Sequence, residues 1–203
     1  SIEENASIIA TGERIELLID ASGYADGEVL SFLVDDYFGR TFDAMSFRID
    51  ASISATVTSL ADLPARMNTL IPVDPSEFED TRTFAMQTMG PGGQLTINGR
   101  HMELDRIDFR LNAGTREIWE ISNPAMGMMA IPHTFHIHNG QFRLLEINGE
   151  PPPPELSGRK DTFLLWPRDR IRVAVAFEDY TGIYMYHCHF LVHEDAGMMG
   201  QFE

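Results

Sequence analysis

The sequence predicts an all-β protein, an antiparallel sandwich, and three observations lead there. Apolar and polar residues alternate with period two in several short runs, as in Ile171, Val173, Val175 and Phe177. Gly, Pro and Asn punctuate the chain between those runs, and Asn98-Gly99 is a strong hairpin signal. With 43% hydrophobic residues over 203 positions there is enough apolar side chain for a sizeable core.

Taken in order, residues 1–52 carry strand signals at Ile8–Ile9, Arg14–Asp20, Val29–Val34 and Met45–Ile49, separated by Gly12, Gly23, Gly27 and Gly39. Three or four strands make half a sandwich, so Leu17, Ile19, Phe32 and Val34 need a second sheet to cover them. Residues 53–80 read as a linker broken by Pro64, Pro72 and Pro75, with one short helical turn at Leu63–Leu70. From residue 81 to 203 strands recur: Thr83–Thr88, Gln94–Ile97, the alternating Ile107, Phe109 and Leu111, Glu117–Ile121, the His133 stretch, Phe142–Ile147, the Ile171 run and the cysteine stretch. Gly149–Pro154 is a stiff loop, and Tyr184 and Tyr186 are expected inside the sandwich.

Six of the seven histidines and the only cysteine fall in two of those stretches, His133-Thr134-Phe135-His136-Ile137-His138 and His187-Cys188-His189, the latter followed by His193 and Met198. Successive side chains of a strand point to opposite faces. His136 and His138 therefore share a face with each other, and so do His187 and His189, while His133 and Cys188 look the other way. One face offers four imidazoles. On the reverse, His133, Cys188, His193 and Met198 make up two nitrogens, a thiolate and a weak thioether, the donor set of a blue-copper centre. Singly, each residue has a plain reading: a hydrogen-bonded polar residue, a small buried thiol, a core methionine. The joint spacing H-x-x-H-x-H with H-C-H-x3-H-x4-M overrules those readings. His101 lies outside both stretches and is expected in a loop, and Met126, Met128 and Met129 are expected to pack beneath the site.

These two motifs resemble the C-terminal copper motifs of the multicopper oxidases, the laccase and cuprous oxidase family. The resemblance implies a cupredoxin-like Greek-key sandwich over residues 81–203, preceded by part of a second cupredoxin domain in residues 1–52, where Thr11-Gly12-Glu13-Arg14 resembles the later part of the family's middle domain. It implies that His133, Cys188, His193 and the axial Met198 hold type 1 copper, that His136 binds type 2 copper, and that His138, His187 and His189 bind the type 3 pair. Cys188 and His193 would carry electron entry, and Glu194 matches a carboxylate that passes protons toward oxygen. Thr134 and Asn139 depart from the family pattern without removing a ligand, and Gly158–Thr162 resembles a family segment with a structural role. The family's cluster draws on twice as many histidines as the four on this face. The expectation is therefore a chain that starts in mid-domain, with an N-terminal polypeptide of the same oxidase supplying the remainder.

The implied activity is oxidation of phenols, aromatic amines or low-valent metal ions, coupled to reduction of dioxygen to water. Other readings are a blue-copper electron carrier, which leaves the four outward histidines unexplained, a copper-free scaffold member, which the filled ligand positions oppose, and a two-domain nitrite reductase, whose spacing fits poorly. A net charge of -16, from 31 acidic against 15 basic residues, repels phosphate backbones and argues against nucleic acid. One cysteine excludes an internal disulfide, and no stretch reaches 18 apolar residues, so no membrane-spanning helix is expected. A periplasmic or extracellular location rests on the resemblance alone.

Overall fold

The computed structural model describes residues 8–17, 19–53, 70, 72–78, 80–88, 91–124, 130–177 and 180–203. The expected methionine packing at 126–129 and most of the helical turn at 63–70 lie outside them. The chain divides into two compact units, residues 16–69 and residues 1–15 with 70–203.

In the first unit, β1 (Val29–Asp35) and β2 (Thr41–Arg48) form an antiparallel pair, with a register shift between Phe32 and Leu33. Two expected strands do not form among the described residues. Ile8–Ile9 and the described part of Arg14–Asp20 belong to no β-ladder, and Ile15, Leu17 and Ile19, though spaced at period two, stay largely exposed. Alternation marks a chain that can extend; a strand also needs a neighbour's backbone to bond to.

The second unit is a sandwich of two sheets. One sheet has the order β4 (Thr96–Ile97), β3 (Asp80–Gln87), β5 (Arg116–Ser122), β10 (Arg170–Ala176), β7 (Gln141–Ile147), β8 (Arg159–Lys160). The other has the order β12 (Met199–Phe202), β11 (Tyr184–Cys188), β6 (His133–Ile137), β9 (Thr162–Leu165). All pairs are antiparallel except β3 with β5, which run parallel. Asn98 and Gly99 both take positive φ, 53° and 74°, the turn that fits the twist of a tight hairpin. Ile107–Leu111 departs from expectation: it forms no full strand, only an isolated bridge from Phe109 to Phe202 and backbone bonds beside β12.

Inward-facing residues of the two sheets meet in an aromatic core. Phe84 lies 4.7 Å from Trp119, 5.3 Å from Phe135 and 5.0 Å from Tyr186, ring centre to ring centre. Ile171, Val173 and Val175 are fully buried, as their period-two run requires. Beneath the core, the buried Glu117 carboxylate accepts from Arg82 at 2.6 and 2.8 Å and from the Trp119 indole at 2.7 Å. A buried charge is tolerated when its lone pairs are filled this way. β6 and β11 pack on this core, and what they carry on each face is fixed by it.

Candidate metal centre

Antiparallel pairing sets His187 of β11 opposite His136 of β6, and Cys188 opposite Phe135. Phe135 and Tyr186 face the core, so Cys188 and His133, which share their parity, face inward with them, and His136 and His187 face outward.

On the inner side, Cys188 Sγ lies 3.8 Å from His133 Nδ1 and 3.3 Å from His193 Nδ1, and the two Nδ1 atoms are 3.3 Å apart. His193 is returned to the cysteine by α1 (Leu191–Asp195), a single helical turn that follows it. Met198 is fully buried; its N–H donates to the His193 carbonyl at 3.0 Å, and its carbonyl accepts from the Cys188 N–H at 3.0 Å. The backbone thus ties the three loop and strand donors to one another. Thr88 Oγ1 sits 3.1 Å from His133 Nε2, occupying that nitrogen and leaving Nδ1 toward the sulfur. The Thr134 N–H donates to Cys188 Sγ at 3.5 Å.

Burial pushes the Cys188 thiol up to about 11, against the pull of the Thr134 and Phe190 amides. Burial, with His193 adding to it, lowers His133 to about 3, and burial lowers His193 as well. Neutral imidazoles with free lone pairs beside a thiol that ionises only against a cation are the chemistry of a soft metal site.

On the outer side, one donor nitrogen from each of His136, His138 and His187 lies within 4.8 Å of the others. His138 Nε2 and His187 Nε2 face each other at 3.2 Å. His136 Nδ1–H donates to the Asp161 carbonyl at 2.8 Å, with Thr162 Oγ1 at 2.9 Å, which frees Nε2. His187 Nδ1–H donates to the Cys188 carbonyl at 3.1 Å, and Glu194 Oε2 stands 3.4 Å away. His189 brings its ring 5.2 Å from that of His136, and its buried Nδ1 has no hydrogen-bond partner among the described residues. Burial lowers His136 to about 4 and lowers His187 too. Converging imidazoles and a buried nitrogen left unpartnered among the described residues fit metal ions.

Every motif residue singled out from the sequence therefore falls in or beside one of two adjacent clusters, while His101 sits in a loop outside both. The residues that orient the histidines were not legible. Asp161 acts through its main-chain carbonyl, which no residue type announces, and Thr88 lies far away in sequence at the end of β3.

Residues 64–203 match the family described as Multicopper oxidase. Over 112 residues the chain is 45% identical to the multicopper oxidase mco of Staphylococcus haemolyticus, covering 55% of this chain and 25% of that protein. It is 33% identical over 195 residues to a laccase of Haloferax volcanii, covering 92% of this chain and 33% of that one. A crystal structure of a multi-copper oxidase from Pediococcus acidilactici superposes with a TM-score of 0.75 at 33% identity, over 91% of this chain and 37% of that chain. The chain spans a quarter to a third of the length of these curated relatives.

Proposed function

Because the chain belongs to the multicopper oxidase family, we propose that it contributes the C-terminal copper ligands of an oxidase that takes single electrons from phenols, aromatic amines or low-valent metal ions and reduces dioxygen to water. The observation that carries this reading is the placement of two donor clusters on opposite faces of one strand, one peptide step apart on either side of Cys188.

His133, Cys188, His193 and Met198 would hold type 1 copper, His136 type 2 copper, and His138, His187 and His189 the type 3 pair. Bound copper would supply the one-electron chemistry at the inner cluster and the reduction of dioxygen at the outer one. The protein's own part is positional. Thr88 and the Asp161 carbonyl hold His133 and His136 in the tautomers that leave a lone pair toward the ligand site. Among the four inner ligands His193, half-buried on α1, is the one not fully buried and the place where a donor would approach. Its neighbour Glu194 is partly exposed, and its Oε2 near His187 Nδ1 can take a proton from solvent and hold it beside the outer cluster.

Residues 81–203 make up the copper-bearing cupredoxin-like domain, 1–52 belong to part of a second such domain, and 53–80 connect them. Because the chain has only seven histidines, the outer cluster's remaining ligands come from a polypeptide outside it. A periplasmic or extracellular location accords with the family; among the described residues no helix is long and apolar enough to cross a membrane. A visible spectrum with copper analysis tests the proposal. A thiolate-to-copper band in the red, lost in Cys188→Ser, together with more than one copper per molecule is expected. A colourless protein after Cu(II) loading would overturn it, and a blue one that never takes up oxygen when reconstituted with its missing polypeptide would leave an electron carrier.

A further inference from the structure

Residues 10–14 lie against the outer histidines although nothing about the metal motifs calls for them. The segment turns on itself: Glu13 N–H donates to the Ala10 carbonyl at 3.0 Å, and Ala10 N–H returns to Glu13 Oε2 at 2.9 Å. At the turn Gly12 has φ 81°, and its backbone bears on the His189 imidazole so closely that a Cβ there would stand 2.6 Å from ring Cδ2 and 2.8 Å from Nε2. Thr11 Oγ1 is 3.5 Å from the hydroxyl of Thr134, inside the histidine strand. Glu13 pairs with Lys160 at 3.2 Å, both side chains mostly buried.

Arg14 completes the set. Its Nη2 donates to Asp161 Oδ2 at 3.0 Å and its Nη1 to Oδ1 at 2.5 Å, a two-pronged grip, while Nη1 also donates to the Gly12 carbonyl at 3.0 Å. Asp161 is the residue whose carbonyl accepts both the Ile137 N–H at 3.0 Å and the His136 Nδ1–H at 2.8 Å. The carboxylate is held by Arg14 and the carbonyl of the same residue holds His136.

We propose that residues 10–14 are a strap that orients two outer histidines: Arg14, through Asp161, keeps His136 protonated at Nδ1 with Nε2 free, and Gly12 sets the plane of His189. The proposal rests on reading those histidines as metal ligands. An exposed ion pair contributes little to stability. Arg14 is 63% exposed, so its removal is expected to leave the fold standing and to act on the ring it positions. Outer partners of ligating histidines ordinarily change metal affinity by about 10-fold or more.

Arg14 and Asp161 are positioning residues, and the test reads the histidine itself. In the 15N-labelled chain, long-range nitrogen–proton NMR spectra report the His136 tautomer without any metal, and a Zn2+ titration followed at the same ring reports its affinity. Co(II) charge transfer at Cys188 serves as the inner-cluster control. Arg14→Ala is expected to mix the His136 tautomers and weaken zinc at that ring by about 10-fold, with the Cys188 band unchanged. The exchanged pair Arg14→Asp with Asp161→Arg is expected to restore both. Should Arg14→Ala fold poorly, Arg14→Lys carries the test, because a single ammonium cannot reproduce the two-pronged grip. A His136 ring indistinguishable from wild type in these variants overturns the strap, as does a loss that spreads equally to the Cys188 band and is not restored by the exchanged pair. If the wild-type chain binds neither cobalt at Cys188 nor zinc, the metal reading fails, and the tautomer measurement still judges the strap.

Discussion

Gly200→Ala is a one-methyl change expected to damage the strand that carries the thiolate. Gly200 of β12 pairs directly with Tyr186 of β11, two residues before Cys188. A Cβ at this position would overlap the Tyr186 hydroxyl and the Asp108 carboxylate, and stand 2.5 Å from Tyr186 Cζ. None of these can retreat freely. The Tyr186 hydroxyl donates to Asp108 Oδ2 at 2.9 Å, and Asp108 also accepts from Arg106 Nε at 2.8 Å and the Gln201 N–H at 3.3 Å. Burial, together with the Asp108 charge, raises the Tyr186 phenol far above its usual range, so the hydroxyl remains a donor at any working pH. Overpacking a filled site costs about 1–3 kcal/mol, and a hydrogen bond to a charged group contributes about 1.5–3 kcal/mol. If the methyl both crowds the site and separates tyrosine from aspartate, the loss is about 4 kcal/mol, a fall in Tm of roughly 8–16 °C for a chain this long. Urea unfolding at neutral pH measures it. Tyr186→Phe alone is expected to lose about 1.5–3 kcal/mol, and the double variant about 1 kcal/mol less than the two singles added, because the hydroxyl that the methyl strikes is gone. A Gly200→Ala protein within about 0.5 kcal/mol of the parent, or a strictly additive cycle, would show that the methyl does not strike the tyrosine hydroxyl.

Two further outcomes are expected. In metal-stripped protein, His133 and His136 titrate when folded at about 3 and about 4, below the unfolded value near 6.5, so the unfolded chain takes up protons that the folded one refuses. Stability present above about pH 6.5 is then lost as pH falls, by up to about 1.4 kcal/mol per unit for each imidazole; urea midpoints at pH 7 and pH 5 that coincide would refute this. Thr88→Val leaves His133 Nε2 buried without its partner, for an expected loss of about 1–3 kcal/mol and a shifted thiolate-to-copper band. An unchanged spectrum and unfolding curve would show that the hydroxyl does not orient the ring.

Side-chain parity was the part of the structure legible in the sequence. His136 and His187 fall on one face and His133 and Cys188 on the other because strand periodicity alone assigns them, and the fully buried Ile171, Val173 and Val175 obey the same rule. Features that depend on partners were not legible. Residues 14–20 and 107–111 alternate as strands do, yet the first meets no ladder among the described residues and the second only a single bridge. The turn α1 is five residues long, too short for a helical repeat to register, and still decides where His193 points. β9 and β12 were missed for a similar reason: four residues each give hardly two periods of alternation.

The same parity that makes the double site readable also makes it vulnerable. A slip of β11 by one residue against β6 would turn Cys188 out among the imidazoles and carry His187 into the aromatic core. Something must therefore fix the register, and the ligands cannot do so before metal arrives. The aromatic core opposes a slip, and polar contacts of neighbouring residues and of the ligand residues' own backbone add to it. Tyr186 is pinned to Asp108, which also accepts from Arg106 and from the Gln201 N–H of β12. The Cys188 N–H is pinned to Met198, and the His189 N–H donates to the Thr134 carbonyl at 2.8 Å. Backbone bonds can re-form with other residues after a slip, but the Tyr186–Asp108 pair can form in one register only. The precision of the metal site is thus established by groups that never touch a metal, and variants at Asp108, Gly200 and Tyr186 are expected to impair copper loading as well as stability.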